Sequence, residues 1–366
     1  MTTESVNLGP LEDLFNDDGI SEIMVNNFRR VFVEKQGKML ATSLKFGSEA
    51  ELQELITQIA HACGRDITPQ KPFFDGYLDD GSRVNAVIPP MSPSGSNLTI
   101  RRFRRTAFTM QNLIQSGSIS DKAAYFLEAA IRARLNIIVS GGTGTGKTTF
   151  LNLLSSMIPA DERVISIEDV AELQLQHPNW VRLESVNTIA GKSVTTKDCL
   201  FNALRMRPDR IIVGECRRDE TAEMLQAMNT GHEGSLTTIH ANSPRDCLTR
   251  IETMVTITIP DYPLSALRKQ MVSAIDLVIQ LKRAKDGTRK ITEILELTGM
   301  ESDTITAQQI FSRDKGKLTN LANLDPNKNE LFSTGIVPKC VDRLADAGVK
   351  IPPNFFEPSS KLTFQH

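Results

Sequence analysis

At 366 residues, with 40% hydrophobic and 23% charged residues, the chain is too long for one ordinary core and suits about two soluble globular domains plus appendages. A net charge of -2 gives no global pull toward nucleic acid or anionic lipid, so any such contact has to come from a local patch, which argues against a nucleic-acid partner. Cys63, Cys199, Cys216, Cys247 and Cys340 are odd in number, scattered and never spaced C-x-x-C, so neither a disulfide framework nor a zinc ribbon is indicated and a reducing compartment fits best. No stretch approaches the roughly 18 apolar residues of a membrane span, and the segment from Met1 to Ser5 does not begin a signal peptide. The expectation is a cytoplasmic protein whose membrane association runs through a partner.

From Ser21 to about Phe103, short apolar alternations and turn clusters predict a small α+β domain. Ile23-Met24-Val25 and Val31-Phe32-Val33 flank the turn signal Asn26-Asn27, as in a hairpin. Leu52, Leu55, Ile56 and Ile59 carry helical spacing, and Asp79-Asp80-Gly81-Ser82 turns into a strand from Arg83 to Ile88 that ends at Pro89-Pro90. Leu98-Thr99-Ile100 resumes as a strand before the basic cluster from Arg101 to Arg105, and an interdomain hinge is expected near Thr106. From about residue 107 to 300, helices alternate with apolar strands such as Val164–Ile167 and Arg210–Val213, which predicts a parallel sheet with ligands at the carboxyl ends of its strands. Residues 301–366 are less regular and read as an appended segment.

Within that second region, Gly141-Gly142-Thr143-Gly144-Thr145-Gly146-Lys147-Thr148 fits the phosphate-binding loop G-x-x-x-x-G-K-[ST]. The apolar run Leu135–Ser140 before it reads as a strand, and Thr149-Phe150-Leu151 after it reads as the first turn of a helix, the context the motif requires. Glycines let backbone N–H groups curl around phosphates, and the helix start adds its positive dipole end. Lys147 offers a point charge to the phosphates and the Thr148 hydroxyl can ligate Mg²⁺, so the chain is expected to bind ATP or GTP with the metal.

Strand Arg210–Val213 runs into Gly214-Glu215, where a P-loop enzyme needs a carboxylate to polarise water or hold the metal shell. The usual strand-ending Asp is replaced by Gly214. Either Glu215 covers both tasks, or Glu168 and Asp169, with Glu172 a turn on, supply the metal-side carboxylate; alternatively these acids cap a helix beginning near Val170. His232 and His240 bracket a short strand and are read as phosphate sensors near the carboxyl edge, against a purely structural role; no third ligand follows at a metal-binding interval. Arg83, Arg101 and Arg102 precede the P-loop region and have the chemistry to neutralise a transferring phosphoryl group, or else form a solvated surface.

The set GGTGTGKTT, ISIEDVAELQL, ALRMRPDRIIVGECR and MNTGHEGSLTTIHAN closely resembles the secretion ATPase superfamily of type II and type IV secretion and type IV pili. GPLEDLF, EIMVNN, DGSRVNAVIPP, LTIRRF and ITEILELTGME bring it nearest to the Tad/Flp pilus assembly ATPases, and the tetracysteine element of type II secretion ATPases is absent. The resemblance implies an N-terminal PAS-like α+β domain (1–106), a RecA-like P-loop motor domain (107–300), and a homohexamer with ATP in an interdomain cleft. It also implies an inner-membrane platform as partner. Carried onto this chain, it makes the loop residues from Gly142 through Thr149 the nucleotide cradle, Lys147 and Thr148 the Walker A pair, and Glu168, Asp169 and Glu172 the Asp box. Glu215 becomes the Walker B glutamate, His232 and His240 the His box, and Arg83, Arg101, Arg102 and Arg217 the arginines that reach the phosphates.

Overall fold

The computed structural model describes residues 6–35, 37–102, 109–189, 192–284, 286–314, 316 and 330–358, so the expected hinge at Thr106 and the basic residues Arg104 and Arg105 lie outside the described residues. The chain divides into two compact units, Met1–Ala107 and Phe108–His366.

The first unit opens with a short helix, α1 (Glu12–Asn16), followed by strands β1 (Ile20–Asn26), β2 (Val31–Lys35) and β3 (Lys38–Ala41), helix α2 (Glu49–Ala62), and strands β4 (Phe73–Tyr77), β5 (Arg83–Val87) and β6 (Asn97–Arg101). The strands form one antiparallel sheet in the order β3-β2-β1-β6-β5-β4. The turn signal at Asn26-Asn27 makes the β1–β2 hairpin, with Asn27 in the left-handed region at φ 68°. Alternate residues Ile23, Val25, Val84, Ala86, Leu98 and Ile100 face inward onto Leu52, Ile56 and Ile59 of α2, whose first turn is capped by the Ser48 hydroxyl.

The second unit begins with helices α3 (Met110–Gln115) and α4 (Asp121–Arg132), then β7 (Ile137–Gly141), α5 (Lys147–Ser155), β8 (Val164–Glu168) and β9 (Trp180–Glu184). A small hairpin, β10 (Val186–Ile189) and β11 (Lys192–Val194), precedes α6 (Thr196–Ala203), β12 (Arg210–Val213), α7 (Glu220–Asn229) and β13 (Leu236–Ile239). Helices α8 (Pro244–Thr258) and α9 (Leu264–Ala274) lead to β14 (Leu277–Arg283), β15 (Arg289–Glu301), β16 (Thr304–Ser312), β17 (Phe332–Ser333) and α10 (Val341–Asp346). Nine strands make one sheet in the order β17-β16-β15-β14-β7-β13-β12-β8-β9; those from β14 to β9 run parallel, and β15, β16 and β17 extend one edge antiparallel.

The strands read as continuous apolar runs because both faces are covered. Ile137 and Val139 of β7 join the core with α4 and α5, while Ile138 between them joins the opposite core with α7, α8 and α9; Ile212 and its neighbours Ile211 and Val213 on β12 divide in the same way.

One expectation is corrected at the C-terminal end. The described residues after 300 do not form a separate appendage: β16 and β17 continue the sheet, and Phe311, Leu331, Leu344, Phe355 and Phe356 enter the same core as α4. Phe126 of α4 meets Phe311 and Phe356 at ring-centroid distances of 5.5 and 6.0 Å. The sequence hid this because the burial comes from short apolar pieces distant along the chain, with no periodicity of their own.

Candidate nucleotide site

Parallel strands deliver β7, β8, β12 and β13 to one sheet edge, and the candidate site is built there. Strand β7 ends at Gly141 and the chain turns into α5 through Gly144 (φ 70°) and Gly146 (φ 89°), the left-handed geometry that only glycine adopts cheaply. Gly141 has a second reason to lack a Cβ, which would stand 2.5 Å from the Thr145 hydroxyl oxygen and 3.0 Å from the Leu281 carbonyl. The Thr145 hydroxyl donates to the Gly142 carbonyl at 2.9 Å and closes the loop; the Lys147 ammonium donates to the same carbonyl at 3.2 Å. Gly142, Thr143 and Gly144 are at least partly exposed, Thr148 and Thr149 follow on the first turn of α5, and the loop keeps its N–H groups at the helix N-terminus.

Three carboxylates approach from the neighbouring strand ends. Glu168 closes β8 at 3% exposure, its Oε1 accepts from the backbone N–H groups of Glu172 and Leu173 at 2.9 Å each, and its Oε2 is buried without a partner. Burial raises its pKa to about 7 against the lowering effect of those two N–H groups. No helix begins near Val170: the chain bends and runs extended, so the helix-capping alternative falls away and Glu168 instead holds the segment carrying Glu172. Asp169 accepts from the hydroxyls of Thr196 at 2.5 Å and Ser185 at 3.0 Å, and lies 4.0 Å from Arg217.

Glu215 follows β12, in a segment stitched to both neighbours. The Gly214 N–H donates to Ile167 at 2.8 Å, the Thr238 hydroxyl donates to the Gly214 carbonyl at 2.8 Å, and the Cys216 N–H donates to Thr238 at 2.9 Å. Arg217 grips Glu215 Oε2 at 2.6 Å. Desolvation lowers the Lys147 pKa, with Glu215 as its strongest opposing charge; Glu172, Arg217 and Arg250 of α8 also act on it. His240, just past β13, is held below the usual imidazole range by desolvation first and by Lys147 second, which keeps it neutral at pH 7.

The two histidines part company. His232 precedes β13 and His240 follows it, so a strand of four residues, about 13 Å, separates them and His232 stands at the amino edge, away from the loop. There Asn136, just before β7, accepts from the N–H groups of Gly234 and Ser235 and donates to the Met228 and Ala274 carbonyls, fixing the turn that carries His232. The expectation that both histidines line the carboxyl edge is therefore corrected for His232 within this chain.

In the first unit, Arg83 and Arg101 are directly opposite across β5 and β6, and Glu22 pairs with Arg101 from β1. Like charges directly opposite destabilise a sheet, and the Asp75 carboxylate 3.3 Å from Arg83 offsets part of that. Arg102 differs: its guanidinium donates to the Asp17 and Ile20 carbonyls, stacks 5.3 Å over the Phe15 ring and is only 14% exposed. It fastens its own domain.

Sequence reasoning missed Arg250, Arg283 and Arg289. Arg289 Nε donates to the Gly144 carbonyl at 3.2 Å, and a Cβ on Gly144 would stand 3.8 Å from an Arg283 guanidinium nitrogen. The Asp286-Gly287 turn between two apolar runs was the available hairpin signal.

Sheet order β14-β7-β13-β12-β8, with the loop after β7 and acids after β8 and β12, defines a RecA-like P-loop fold. Residues 4–336 match the family described as Type II/IV secretion system protein, and the chain belongs to that family. It is 33% identical to a putative conjugal transfer protein of Mycobacterium tuberculosis over 88% of this chain and 94% of that one. It is 32% identical to the conjugal transfer protein TrbB of Rhizobium radiobacter over 79% of this chain and 87% of that one. The X-ray structure of the Legionella pneumophila ATPase DotB, 23% identical, covers 81% of this chain and 83% of its own with a TM-score of 0.58, a likeness of fold.

Proposed function

We propose that this chain is a Mg²⁺-dependent ATPase that works as a homohexamer at the cytoplasmic face of the inner membrane. Through an inner-membrane platform it would power assembly of a Tad/Flp-like type IV pilus or protein secretion. The observation that carries the reading is that Glu215 after β12 and His240 after β13 stand at the same carboxyl edge of the sheet as the loop between β7 and α5, where Lys147 begins the helix.

In this reading the loop N–H groups and Lys147 hold the β- and γ-phosphates, and Glu215, paired with Arg217 at 2.6 Å, orients the attacking water. Neutral His240 reports on the γ-phosphate from the end of β13. The donor set fits a hydrated Mg²⁺, since the buried Glu168 Oε2 lacks a partner and Thr148 lies in the first turn of α5. Among the described residues no three His, Cys, Asp or Glu side chains, Asp169, Glu172 and Glu215 included, come together as a metal cage. A cation held there would supply charge neutralisation to the phosphates. Arg83 and Arg101 are assigned to the phosphates on the motif resemblance.

No described helix is long and apolar enough to cross a membrane, which fits attachment through a partner. A second reading, a conjugative DNA-transfer motor, is favoured by the names of the two relatives above. Phosphate release with Mg-ATP, measured on the wild type and on Lys147→Ala with and without single-stranded DNA, tests both. Turnover lost in the variant and indifferent to DNA supports the pilus or secretion motor, DNA stimulation supports the second reading, and no turnover by oligomeric wild type overturns both.

A further inference from the structure

The phosphate-binding loop has two unlike sides. Toward β13 and β12 lie Glu215 and His240, the groups suited to the terminal phosphate. Toward β14, strand β7 pairs with β14 through Gly141 and Leu281, and the β14–β15 hairpin reaches past the loop. Arg283 and Arg289 are directly opposite across that hairpin, so their side chains share a face; both are exposed, and the Ala284 N–H to Thr288 carbonyl bond closes the hairpin beyond them. Arg289 touches the loop, its Nε donating to the Gly144 carbonyl and its Cδ 3.1 Å from where a Gly146 Cβ would be, and an Arg283 guanidinium nitrogen stands beside it, 3.8 Å from where a Gly144 Cβ would be.

A nucleotide is an elongated molecule with its terminal phosphate at one end and its base at the other. With the terminal phosphate drawn toward Glu215 and His240, the nucleoside has to leave the loop on the β14 side. Planar guanidinium groups there match the face of a base, on which arginine stacks and lysine does not. Resting on the reading that this loop binds a nucleotide, we propose that Arg283 and Arg289 form the nucleoside-binding wall of the site, with Arg283 stacking on the base and Arg289 both shaping the loop and flanking the ribose.

The test is calorimetric titration of the full chain with Mg-ATP and with Mg-tripolyphosphate, which keeps the phosphates and lacks the nucleoside. Arg283→Ala is expected to weaken ATP about tenfold and to leave tripolyphosphate unchanged, with Arg283→Lys failing to restore ATP. Lys282→Ala, which removes one charge from the opposite face of the same strand, is expected to leave both affinities unchanged. Equal weakening of both ligands by Arg283→Ala, or of ATP by Lys282→Ala, would make the effect one of loop shape or general charge and overturn the proposal, as would ATP affinity unchanged in Arg283→Ala. Wild type that binds neither ligand would overturn the nucleotide reading itself, a distinct result.

Discussion

A Cβ on Gly214 would stand 3.1 Å from Cγ of Glu168 and 3.6 Å from its Oε1. The glycine just past β12 and the glutamate at the end of β8 are thus packed as one arrangement, with Glu168 filling space that only a glycine leaves open. Gly214→Ala is expected to cost about 1–3 kcal/mol in urea unfolding and to lower ATP turnover, because Glu168 is anchored by two backbone N–H groups and has little room to give. Unfolding and turnover both at wild-type values would show that Glu168 moves freely.

Glu168 also sets a pH dependence. Its pKa is raised from 4.5 to about 7, so between those values the folded state holds more protons than the unfolded one and stability falls as pH rises. The contribution is fully present below about pH 4.5 and lost through about pH 7, a span of about 3 kcal/mol. Glu168→Gln keeps an acceptor for the Glu172 and Leu173 N–H groups and is expected to flatten this part of the profile. A slope as steep in the variant as in the wild type would remove Glu168 as its source.

Glu215→Gln is expected to lower steady-state phosphate release by at least about a hundredfold, the scale of a lost general base, while ADP still binds by calorimetry. Loss of ADP binding in step with turnover would instead make Glu215 a structural partner of Arg217, 2.6 Å away.

At the amino edge, Arg210 is fully buried and meets Glu162 through two bonds of 2.7 Å, with the Gly234 carbonyl accepting at 3.4 Å. Arg210→Ala leaves Glu162 without this partner and is expected to destabilise the protein by about 3–5 kcal/mol, read as a fall in the urea midpoint with unchanged slope.

Phe356, 4% exposed, packs edge-on to Phe126 and to Phe355. Phe356→Ala is expected to cost about 3–5 kcal/mol in the unfolding of the nucleotide-binding unit itself. A melting temperature for that unit equal to the wild type's would return the C-terminal residues to an independent appendage.

The sequence by itself determined what depends on neighbours along the chain. The phosphate-binding loop was legible because its glycines, lysine and threonine act over eight consecutive residues, and the buried strands because both faces of a parallel sheet demand apolar side chains. The hairpin at Asn27 and the helix carrying Leu52 and Ile56 were legible for the same local reason. Tertiary structure alone decided what depends on which strands are neighbours. It separated His232 from His240 by the length of β13, tied Arg102 to its own domain, folded the C-terminal phenylalanines into the core, and set Arg283 and Arg289 beside glycines more than a hundred residues earlier. Strand order is fixed by burial and hydrogen bonding between distant segments, and residue spacing does not encode it; that order sets Glu215 and His240 on one side of the phosphate-binding loop and Arg283 and Arg289 on the other.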